Sequence, residues 1–390
     1  MHITQPHVSE FSSQTGAYDV AIVGGGLAGL SLSIQLARLG HRVIVFEKEE
    51  YPFHKVCGEY ISLESWNFLN SLGIDLEKMN LPVITQLQLS ATNGKILQQK
   101  LPLGGFGISR YLLDFTLAEI ARAAGVTVEE NTKVNDIVFS QSTFNIITNK
   151  QSYSVKVVGG SYGKRSNIDS KWKRHFTTAS TNKLNNYIGV KYHIKTDFPA
   201  DTIALHNFDN GYCGIVKIEE DKYNLCYLTT AGNLQKNKGV IREMEQSVLS
   251  KNPHLRKLFA ESEFLYELPV TISQISFDKK EQVENHVLMI GDAAGMITPL
   301  CGNGMSMALH GSKLAAEVVH TFLQGQISRR EMEEKYTRQW RQNFSRRLKV
   351  GRVIQRLFAN KWLTDFIINL LRQFPKLADF LIRQTHGKSF

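Results

Sequence analysis

Cysteine is scarce in this sequence, with only Cys57, Cys213, Cys226 and Cys301 among 390 residues. No two of them form a C-x-x-C pair, so the sequence predicts neither a disulfide-stabilised scaffold nor a metal site. This cysteine usage is typical of a reducing compartment. The first 16 residues are polar and lack the apolar segment of a secretory signal. We therefore expect a cytoplasmic protein.

Long hydrophobic runs are also missing. No stretch of about 18 uncharged apolar residues occurs, so we expect no membrane-spanning helix. With 42% hydrophobic and 21% charged residues, the composition excludes a disordered chain and a collagen-like repeat. A chain of 390 residues is typical of two or three globular domains.

Acidic residues are in deficit only near the C-terminus. The chain has 46 Lys and Arg against 36 Asp and Glu, and residues 325–390 contain 15 of these basic and 5 of these acidic residues. The whole net charge of +10 therefore lies after residue 324. No nucleic-acid-binding motif accompanies this charge, so we expect no nucleic-acid partner.

A glycine-rich turn follows the first predicted strand. The strand, over residues 18–23, ends at the pattern Gly24-x-Gly26-x-x-Gly29, and a predicted helix and a second strand ending at Glu47 follow. In such a unit the glycines permit the turn, the approach of a pyrophosphate and close helix packing. A carboxylate at the end of the second strand can bind a ribose. The order of these features predicts a dinucleotide site.

A second motif lies far downstream. Asp292 directly follows a predicted buried strand over residues 286–290, where a carboxylate can bind a polyol hydroxyl. Residues 299–304 form a glycine-rich loop that leads into a predicted helix. Exposed backbone N–H groups and the helix dipole favour an anionic group at that helix N-terminus.

Together the two motifs resemble those of FAD enzymes of the para-hydroxybenzoate hydroxylase superfamily, and the resemblance extends over about residues 18–324. The P-x-x-K-x-C-G pattern of residues 52–58, followed by Ser62, is similar to the geranylgeranyl reductase branch of that superfamily, as is the GDAAG sequence of residues 291–295. The resemblance implies that the cofactor is FAD.

The resemblance also assigns roles to individual residues. Asp292 would bind the ribityl chain, Arg110 would reach the phosphates, and the backbone of Val134 would hold the adenine. The loop and helix that follow Asp292 would face flavin N1 and the C2 carbonyl. The predicted cofactor-binding residues are Gly24, Gly26, Ala28, Gly29, Glu47, Lys48, Arg110, Val134, Asp292, Pro299, Gly302, Asn303, Gly304 and Met305.

Cys57 is the candidate catalytic residue. In the geranylgeranyl reductase branch the cysteine segment passes close to the isoalloxazine. Cys57 could therefore polarise or protonate a substrate beside flavin N5, since a thiol is a titratable group. The alternative is a small residue that only packs against the ring.

The electron donor is left open by one departure from the family pattern. Monooxygenases of the family carry a G-x-D-G-x-x-S stretch whose Asp takes part in FAD and NAD(P)H binding. Tyr162 stands at the position of that Asp. The resemblance thus allows NAD(P)H, a separate reductase or a ferredoxin-like protein as the donor.

A second departure concerns the substrate. Prenyl reductases of this type have a Tyr-x-Trp-x-Phe-Pro stretch, and the matching residues here are Tyr212, Gly214 and Val216. We expect these three residues to line the substrate pocket. Losing two aromatic side chains would widen it, so we expect a hydrophobic small molecule other than a geranylgeranyl chain bound in the usual way.

Strands of nucleotide-domain character and antiparallel strands are interleaved along the chain, which predicts an α/β fold. We expect a discontinuous Rossmann-type FAD-binding domain of the glutathione reductase kind, an inserted antiparallel β-sheet substrate domain, and a C-terminal helical appendage. In that order, the predicted segments are residues 17–80, 104–164 and 276–324; residues 81–103 and 165–275; and residues 325–390.

The basic appendage has an amphipathic pattern. Apolar residues recur every four positions on one predicted helix face, and they are Met332, Tyr336, Trp340, Phe344 and Leu348. Two interpretations are open. The helices pack over the substrate domain and present a solvated basic face, or they make peripheral contact with an anionic membrane.

Three functions are consistent with these features. The first is an FAD-dependent oxidoreductase that transfers hydride at flavin N5 to or from a hydrophobic molecule, such as an unsaturated lipid, a polyketide-like compound or an aromatic compound. The second is an aromatic hydroxylase that uses a flavin C4a-hydroperoxide. The third is a non-redox flavoprotein, either cyclase-like or a membrane-associated binding protein.

Overall fold

The structure is a computed structural model that describes residues 14–15, 18–178, 186–298, 302–358, 361–385 and 387–390. Pro299, one of the predicted cofactor-binding residues, lies outside these ranges. The strands are β1 (Gln14–Thr15), β2 (Val20–Val23), β3 (Val43–Phe46), β4 (Tyr60–Ser62), β5 (Val83–Ser90), β6 (Ile96–Gly107), β7 (Thr127–Glu129), β8 (Val134–Ser140), β9 (Thr143–Thr148), β10 (Ser152–Val155), β11 (Val157–Gly160), β12 (Tyr187–Lys195), β13 (Thr202–Phe208), β14 (Gly211–Lys217), β15 (Tyr223–Thr230), β16 (Glu263–Phe264), β17 (Val270–Ile275), β18 (Val283–Glu284) and β19 (Val287–Met289). The helices are α1 (Leu27–Arg38), α2 (Trp66–Ser71), α3 (Arg110–Ala123), α4 (Asn167–Lys171), α5 (His175–Thr178), α6 (Ala231–Lys236), α7 (Ile241–Ser247), α8 (Pro253–Glu261), α9 (Gly304–Leu323), α10 (Arg329–Phe358), α11 (Lys361–Gln373) and α12 (Pro375–Thr385).

The nucleotide-binding part is built on a six-stranded sheet in the order β18, β19, β11, β2, β3, β7. Its strands β19, β11, β2, β3 and β7 are parallel. All residues of β2 and β3 are buried, as expected for a parallel sheet covered on both faces. The predicted Rossmann-type α/β fold class is therefore confirmed.

A nine-stranded sheet forms the second large layer, in the order β16, β12, β15, β14, β13, β5, β6, β4, with β17 paired to β12. It is antiparallel except for the parallel pair of β5 and β13. Strand β4 and the end of β6 pair with each other in this sheet, although the sequence assigned residues 60–62 and 104–107 to the FAD-binding segments. The exact domain boundaries stay predictions.

Helix α10 carries the apolar stripe predicted in the basic appendage, and it packs against α9 of the nucleotide-binding part. The five stripe residues are buried within the main core cluster. The hydroxyl of Tyr336 also donates a hydrogen bond to the carbonyl of Met289 at 2.6 Å. For α10, the expectation of packing over the substrate domain is therefore wrong, because the stripe completes the core of the Rossmann-type part.

Helices α11 and α12 do pack on the large sheet, against β6. Ile368, Leu371 and Ala378 form a small buried cluster with Ala91 and Leu97. One basic side chain of α10 is not solvated but lies in the interior. The guanidinium of Arg347 lies 3.4 Å from the buried carboxylate of Glu64, which also accepts the N–H of Gly387 at 2.5 Å.

Candidate functional site

The turn between β2 and α1 can be made only with glycine at two positions. Gly24 has φ +106°, and a Cβ there would lie 2.6 Å from the carbonyl oxygen of Ser161. A Cβ on Gly29 would collide with the carbonyl oxygen of Gly24. The turn therefore packs tightly on the strand end at Ser161, which brings the first helix up against the sheet.

Gly26 lies where the turn enters helix α1. The helix has no side-chain cap and no acidic residue in its first turn, so its first backbone N–H groups are available to an anion. A Cβ on Gly26 would lie 3.3 Å from the guanidinium of Arg110 and 3.7 Å from the ammonium of Lys55. The positively charged groups of Arg110 and Lys55 thus lie beside the backbone at Gly26, which no side chain covers.

Asp114 holds these two cations in place. Its carboxylate accepts two hydrogen bonds from Arg110, both at 2.7 Å, and pairs with Lys55 at 3.1 Å. Burial alone would raise the pKa of Asp114, but Arg110 and Lys55 hold it below its ordinary value. The sequence predicted Arg110, whereas Asp114 was missed as a binding residue. The i, i+4 spacing of Arg110 and Asp114 on α3 was an available signal.

Glu47 stands at the predicted place beside the turn. Its buried carboxylate accepts N–H groups from Gly25 at 3.0 Å and from Lys48 at 2.8 Å. It therefore ties the turn to the end of β3, and Oε2, which accepts only the N–H of Gly25, keeps a lone pair for a ribose hydroxyl. The Lys48 side chain is exposed and pairs with Glu49 at 3.3 Å. The structure thus does not bring the Lys48 side chain to the group formed by the glycine-rich turn, Arg110 and Lys55.

The two glycine-rich motifs meet at Ala28 and Gly291. Gly291 has φ +63°, and a Cβ on it would be 3.1 Å from the Cβ of Ala28. Asp292 follows in a short 3-10 turn. Within the described part of the chain, its carboxylate makes no hydrogen bond or ion pair. It is therefore available to hydroxyls of the kind that a ribityl chain carries.

Helix α9 begins beside Asp292. No side chain caps its N-terminus and no acidic residue lies in its first turn, so it offers a second anion-favouring helix end. Gly302 has φ +64°, and Asn303 and Met305 are buried around the start of the helix at Gly304. Four of the five predicted residues of this loop are thus gathered at one helix end, and the fifth is Pro299.

Lys280 is a buried neighbour that the sequence did not reveal. Its ammonium donates to the carbonyls of Asp292 at 2.9 Å and of Lys164 at 3.0 Å. Burial lowers its pKa to about 8. Because Lys280 binds the backbone carbonyl of Asp292, it helps to hold the second motif in place. Lys164 is 116 residues away from Lys280 in sequence, so no local pattern could have found this contact.

Cys57 lies half-buried at the junction of the two layers. Its carbonyl accepts a hydrogen bond from the side chain of Asn224 at 3.1 Å. Burial would lower the pKa of Arg110, but Asp114 and the thiol of Cys57 raise it. The thiol of Cys57 thus lies close enough to Arg110 to interact with its guanidinium. The catalytic role of Cys57 stays a prediction.

Val134 begins β8 and is buried. Its carbonyl already accepts a hydrogen bond from the side chain of Asn167 at 3.0 Å. A carbonyl oxygen has a second lone pair, so it can accept a further hydrogen bond. Its role in holding the adenine stays a prediction.

Tyr212, Gly214 and Val216 alternate along β14 and therefore point to one face of the large sheet. Tyr212 and Val216 belong to a buried apolar cluster that also contains Met296 of the second motif. A Cβ on Gly214 would lie 3.3 Å from the side chain of Leu205, so Leu205 fills part of the space left by the missing aromatic residue. The predicted substrate-lining strand thus faces the FAD-side loop.

Tyr60 connects this apolar cluster to the flavin loop and was missed in the sequence. Its ring lies 3.4 Å from the position of a Cβ on Gly302. It is only 5% exposed, and its hydroxyl has no hydrogen-bond partner among the described residues. Burial raises the pKa of this phenol, and Glu64 raises it further. The group is therefore a neutral hydrogen-bond donor in an apolar environment.

Glu59 fixes the Cys57 segment to both layers. Its fully buried carboxylate pairs with the ammonium of Lys191 and with His193 at 2.7 Å, and it accepts the N–H of Arg110 at 2.8 Å. Burial opposes ionisation, but Lys191 and His193 hold the pKa of Glu59 below its ordinary value. Glu59 is thus a positioning residue for Cys57 and Arg110.

These features fit FAD from end to end. The uncapped helix α1 with Arg110 and Lys55 fits a pyrophosphate, Glu47 fits a ribose, and the free carboxylate of Asp292 fits a ribityl chain. The second uncapped helix, α9, lies beside a small cavity lined by Asp292, Gly304 and Trp340 among others. The arrangement can therefore hold an extended dinucleotide whose far end meets the apolar face of the large sheet.

Comparisons with known proteins agree with this geometry. Residues 17–172 match the model of the FAD binding domain family. The chain is 25% identical over 361 residues to conditioned medium factor receptor 1 of Dictyostelium discoideum, covering 84% of this chain and 68% of that protein. It is 22% identical over 365 residues to a digeranylgeranylglycerophospholipid reductase of Methanosarcina acetivorans, covering 88% and 85%.

Among solved structures, a geranylgeranyl bacteriochlorophyll reductase-like protein of Thermoplasma acidophilum has a TM-score of 0.76 at 18% identity, over 97% of both chains. The chain thus carries an FAD-binding domain and is an FAD-dependent oxidoreductase. The resemblance to the geranylgeranyl reductase branch and the prediction of FAD are confirmed. No described helix has the length and apolar character needed to cross a bilayer.

Proposed function

We propose that this oxidoreductase acts on a hydrophobic small molecule, such as an unsaturated lipid, a polyketide-like compound or an aromatic compound, by hydride transfer at flavin N5. One observation carries the proposal. The apolar cluster that contains Tyr212 and Val216 is continuous with Met296 of the flavin-side motif. A cluster of this composition favours an apolar ligand over a charged one.

Different residues of the chain have different roles in the proposed reaction. Bound FAD supplies the hydride chemistry at N5. Arg110 and Lys55 bind the phosphates, and Asp292 orients the ribityl chain. The apolar face of β14 excludes water from the substrate. The hydroxyl of Tyr60 donates a hydrogen bond to a polar atom of the substrate, since a buried donor without a partner costs about 1–3 kcal/mol.

Anaerobic turnover tests the proposed reaction. Chemically reduced holoprotein is mixed with an unsaturated lipid in the absence of oxygen, and the product is analysed by mass spectrometry. We expect reoxidation of the flavin in step with a product that has gained two hydrogens. If turnover requires oxygen and the product contains an atom from isotopically labelled O2, the enzyme is a hydroxylase and the proposal fails. If the substrate keeps its oxidation state, a non-redox role replaces it.

We propose further that a separate reductase or a ferredoxin-like protein supplies the electrons. Tyr162, at the position of the missing Asp, is committed to packing, and its hydroxyl contacts the sulfur of Met289 at 3.1 Å. Rapid-mixing measurements of flavin bleaching test this proposal. We expect slow bleaching by NADPH or NADH and fast bleaching by reduced ferredoxin. Fast, saturable bleaching by NADPH would show that the chain needs no protein donor.

A further inference from the structure

Helix α12 and the residue that joins it to α11 present large apolar side chains to the solvent. Phe374 and Phe380 are each 54% exposed and Leu377 is 41% exposed. We call these three residues, together with the exposed basic residues Arg372, Lys376 and Arg383, the C-terminal face. Three large apolar side chains within seven residues form a contiguous exposed group of the kind that marks an interaction site.

The opposite side of the same helices is anchored, so the C-terminal face has a defined direction. Ile368, Leu371 and Ala378 are buried against the large sheet. The carboxylate of Asp365 accepts the N–H of Thr92 at 3.2 Å. The exposure of the two phenylalanines therefore does not result from a helix that is detached from the core. Phe380 belongs to α12 and Phe374 joins it to α11, and the core-facing side of both helices is already occupied.

The charge of this face is positive and partly uncompensated. Within the described part of the chain, Arg372 and Lys376 form no ion pair, and Arg383 pairs with Asp379 at 2.8 Å. Residues 1–324 carry no net charge, whereas residues 361–390, which bear the face, contain 5 Lys and Arg against 2 Asp. Such a surface is complementary to a negatively charged, partly apolar partner.

We propose that the C-terminal face docks on an anionic lipid surface, with α11 and α12 lying in the plane of the headgroups. The two helices have 13 and 11 residues, which is too short to cross a bilayer. Aromatic side chains on a basic amphipathic helix enter the boundary between headgroups and acyl chains, and Lys and Arg attract anionic headgroups.

Docking would also bring the bilayer next to the substrate-lining strand. Ile382 of α12 packs against the apolar cluster of Tyr212 and Val216. A hydrophobic substrate could thus enter from the lipid side without crossing water. This consequence rests on the proposed function, whereas the docking itself does not.

Vesicle co-sedimentation of the full-length holoprotein tests the docking. One set of vesicles contains equal parts of phosphatidylglycerol and phosphatidylcholine, and a second set contains phosphatidylcholine alone. We expect binding to the anionic vesicles and at least about fivefold weaker binding to the neutral ones. Raising the ionic strength to about 1 M, where the Debye length is about 3 Å, should weaken the binding strongly.

Matched variants locate the surface. The double variants Phe374→Ser/Phe380→Ser and Arg372→Gln/Lys376→Gln should each bind anionic vesicles at least about tenfold more weakly than the wild-type protein. Phe115→Ser and Lys236→Gln/Lys238→Gln remove comparable exposed groups from α3 and from the α6 region, and they should bind like the wild-type protein. Unchanged melting temperature and flavin content would show that each variant is folded.

Other results would overturn the proposal. One is binding that is equal for anionic and neutral vesicles, or equal for the C-terminal and control variants. Another is a dimer, seen by analytical ultracentrifugation without lipid, that Phe374→Ser/Phe380→Ser dissociates, because the face would then contact a second copy of the chain. Retention of DNA by the wild-type protein with no binding to anionic vesicles would also overturn it.

Discussion

Trp340 of α10 packs directly against Gly295, where a Cβ would lie 2.8 Å from the indole ring. Gly295 closes the segment that begins at Asp292, and Trp340 lines the same cavity as Asp292. A residue from the basic C-terminal segment is thus part of the wall behind the second FAD motif. Helix α10, which carries part of the excess positive charge, therefore also contributes a side chain to the surroundings of the cofactor site.

Replacing Trp340 with Ala should destabilise the protein by about 3–5 kcal/mol, because the indole is only 4% exposed and a cavity would remain. We also expect weaker FAD binding, since the wall next to Asp292 would relax. Chemical denaturation and flavin titration measure the two effects. Arg330→Ala, a highly exposed position on the same helix, is the control and should change stability by less than about 0.5 kcal/mol. Equal effects of both variants would contradict the packing.

Deleting residues 325–390 should prevent the chain from folding into a stable flavoprotein. The deletion exposes the core surface that Met332, Tyr336 and Phe344 cover, and each of these residues is fully buried. We expect aggregation or loss of FAD, observed by gel filtration and flavin absorbance. A shorter deletion of residues 361–390 should retain α10 and bind FAD. A monodisperse, FAD-loaded protein ending at residue 324 would show that α10 only decorates the surface.

Gly26→Val should weaken FAD binding by at least about tenfold. A branched side chain would fill the space between the turn, Arg110 and Lys55 that the pyrophosphate needs. Isothermal titration of the apoprotein with FAD provides the dissociation constant. Gly311→Ala is a suitable control, because Gly311 lies inside α9 with open space around its Cβ position. Undiminished affinity of the Val variant would place the phosphates elsewhere.

Tyr60→Phe should lower kcat while leaving the fold intact. The Tyr60 hydroxyl has no partner in the described structure, so its removal should not destabilise the protein and can even stabilise it. If the phenol donates a hydrogen bond to the substrate, turnover should fall by about tenfold, which corresponds to about 1.4 kcal/mol. Single-turnover kinetics and thermal melting separate the two effects. A loss of stability without a change in kcat would reveal a purely structural residue.

The stability of the protein should change with pH through Lys280, whose pKa is lowered to about 8 by burial. Between about pH 8 and 10.5 the unfolded chain binds more protons at this lysine than the folded one, so its contribution to stability rises with pH. We therefore expect the free energy of unfolding of the wild-type protein, minus that of Lys280→Met, to increase from pH 7 to pH 9.5 by roughly 2 kcal/mol. A difference independent of pH would mean that Lys280 keeps its ordinary pKa.

The sequence alone was sufficient for the features whose physical cause is local. The turn at Gly24 needs a left-handed backbone conformation and close packing, and only glycine satisfies both. The first FAD motif could therefore be read from spacing, and the second from a strand, a carboxylate and a glycine-rich loop in order. The apolar period of α10 likewise predicted that one face of this helix is buried.

Tertiary structure decided which surfaces meet. The stripe of α10 is compatible with any apolar partner, and the fold places it on α9 and Met289 rather than on the large sheet. Glu59 meets Lys191 and His193 across more than 130 residues of chain, and Tyr60 meets Gly302 over a longer separation. Such contacts depend on how distant segments of the chain are brought together in the fold. Periodicity specifies that a face is buried or exposed, whereas only the assembled layers specify what that face touches.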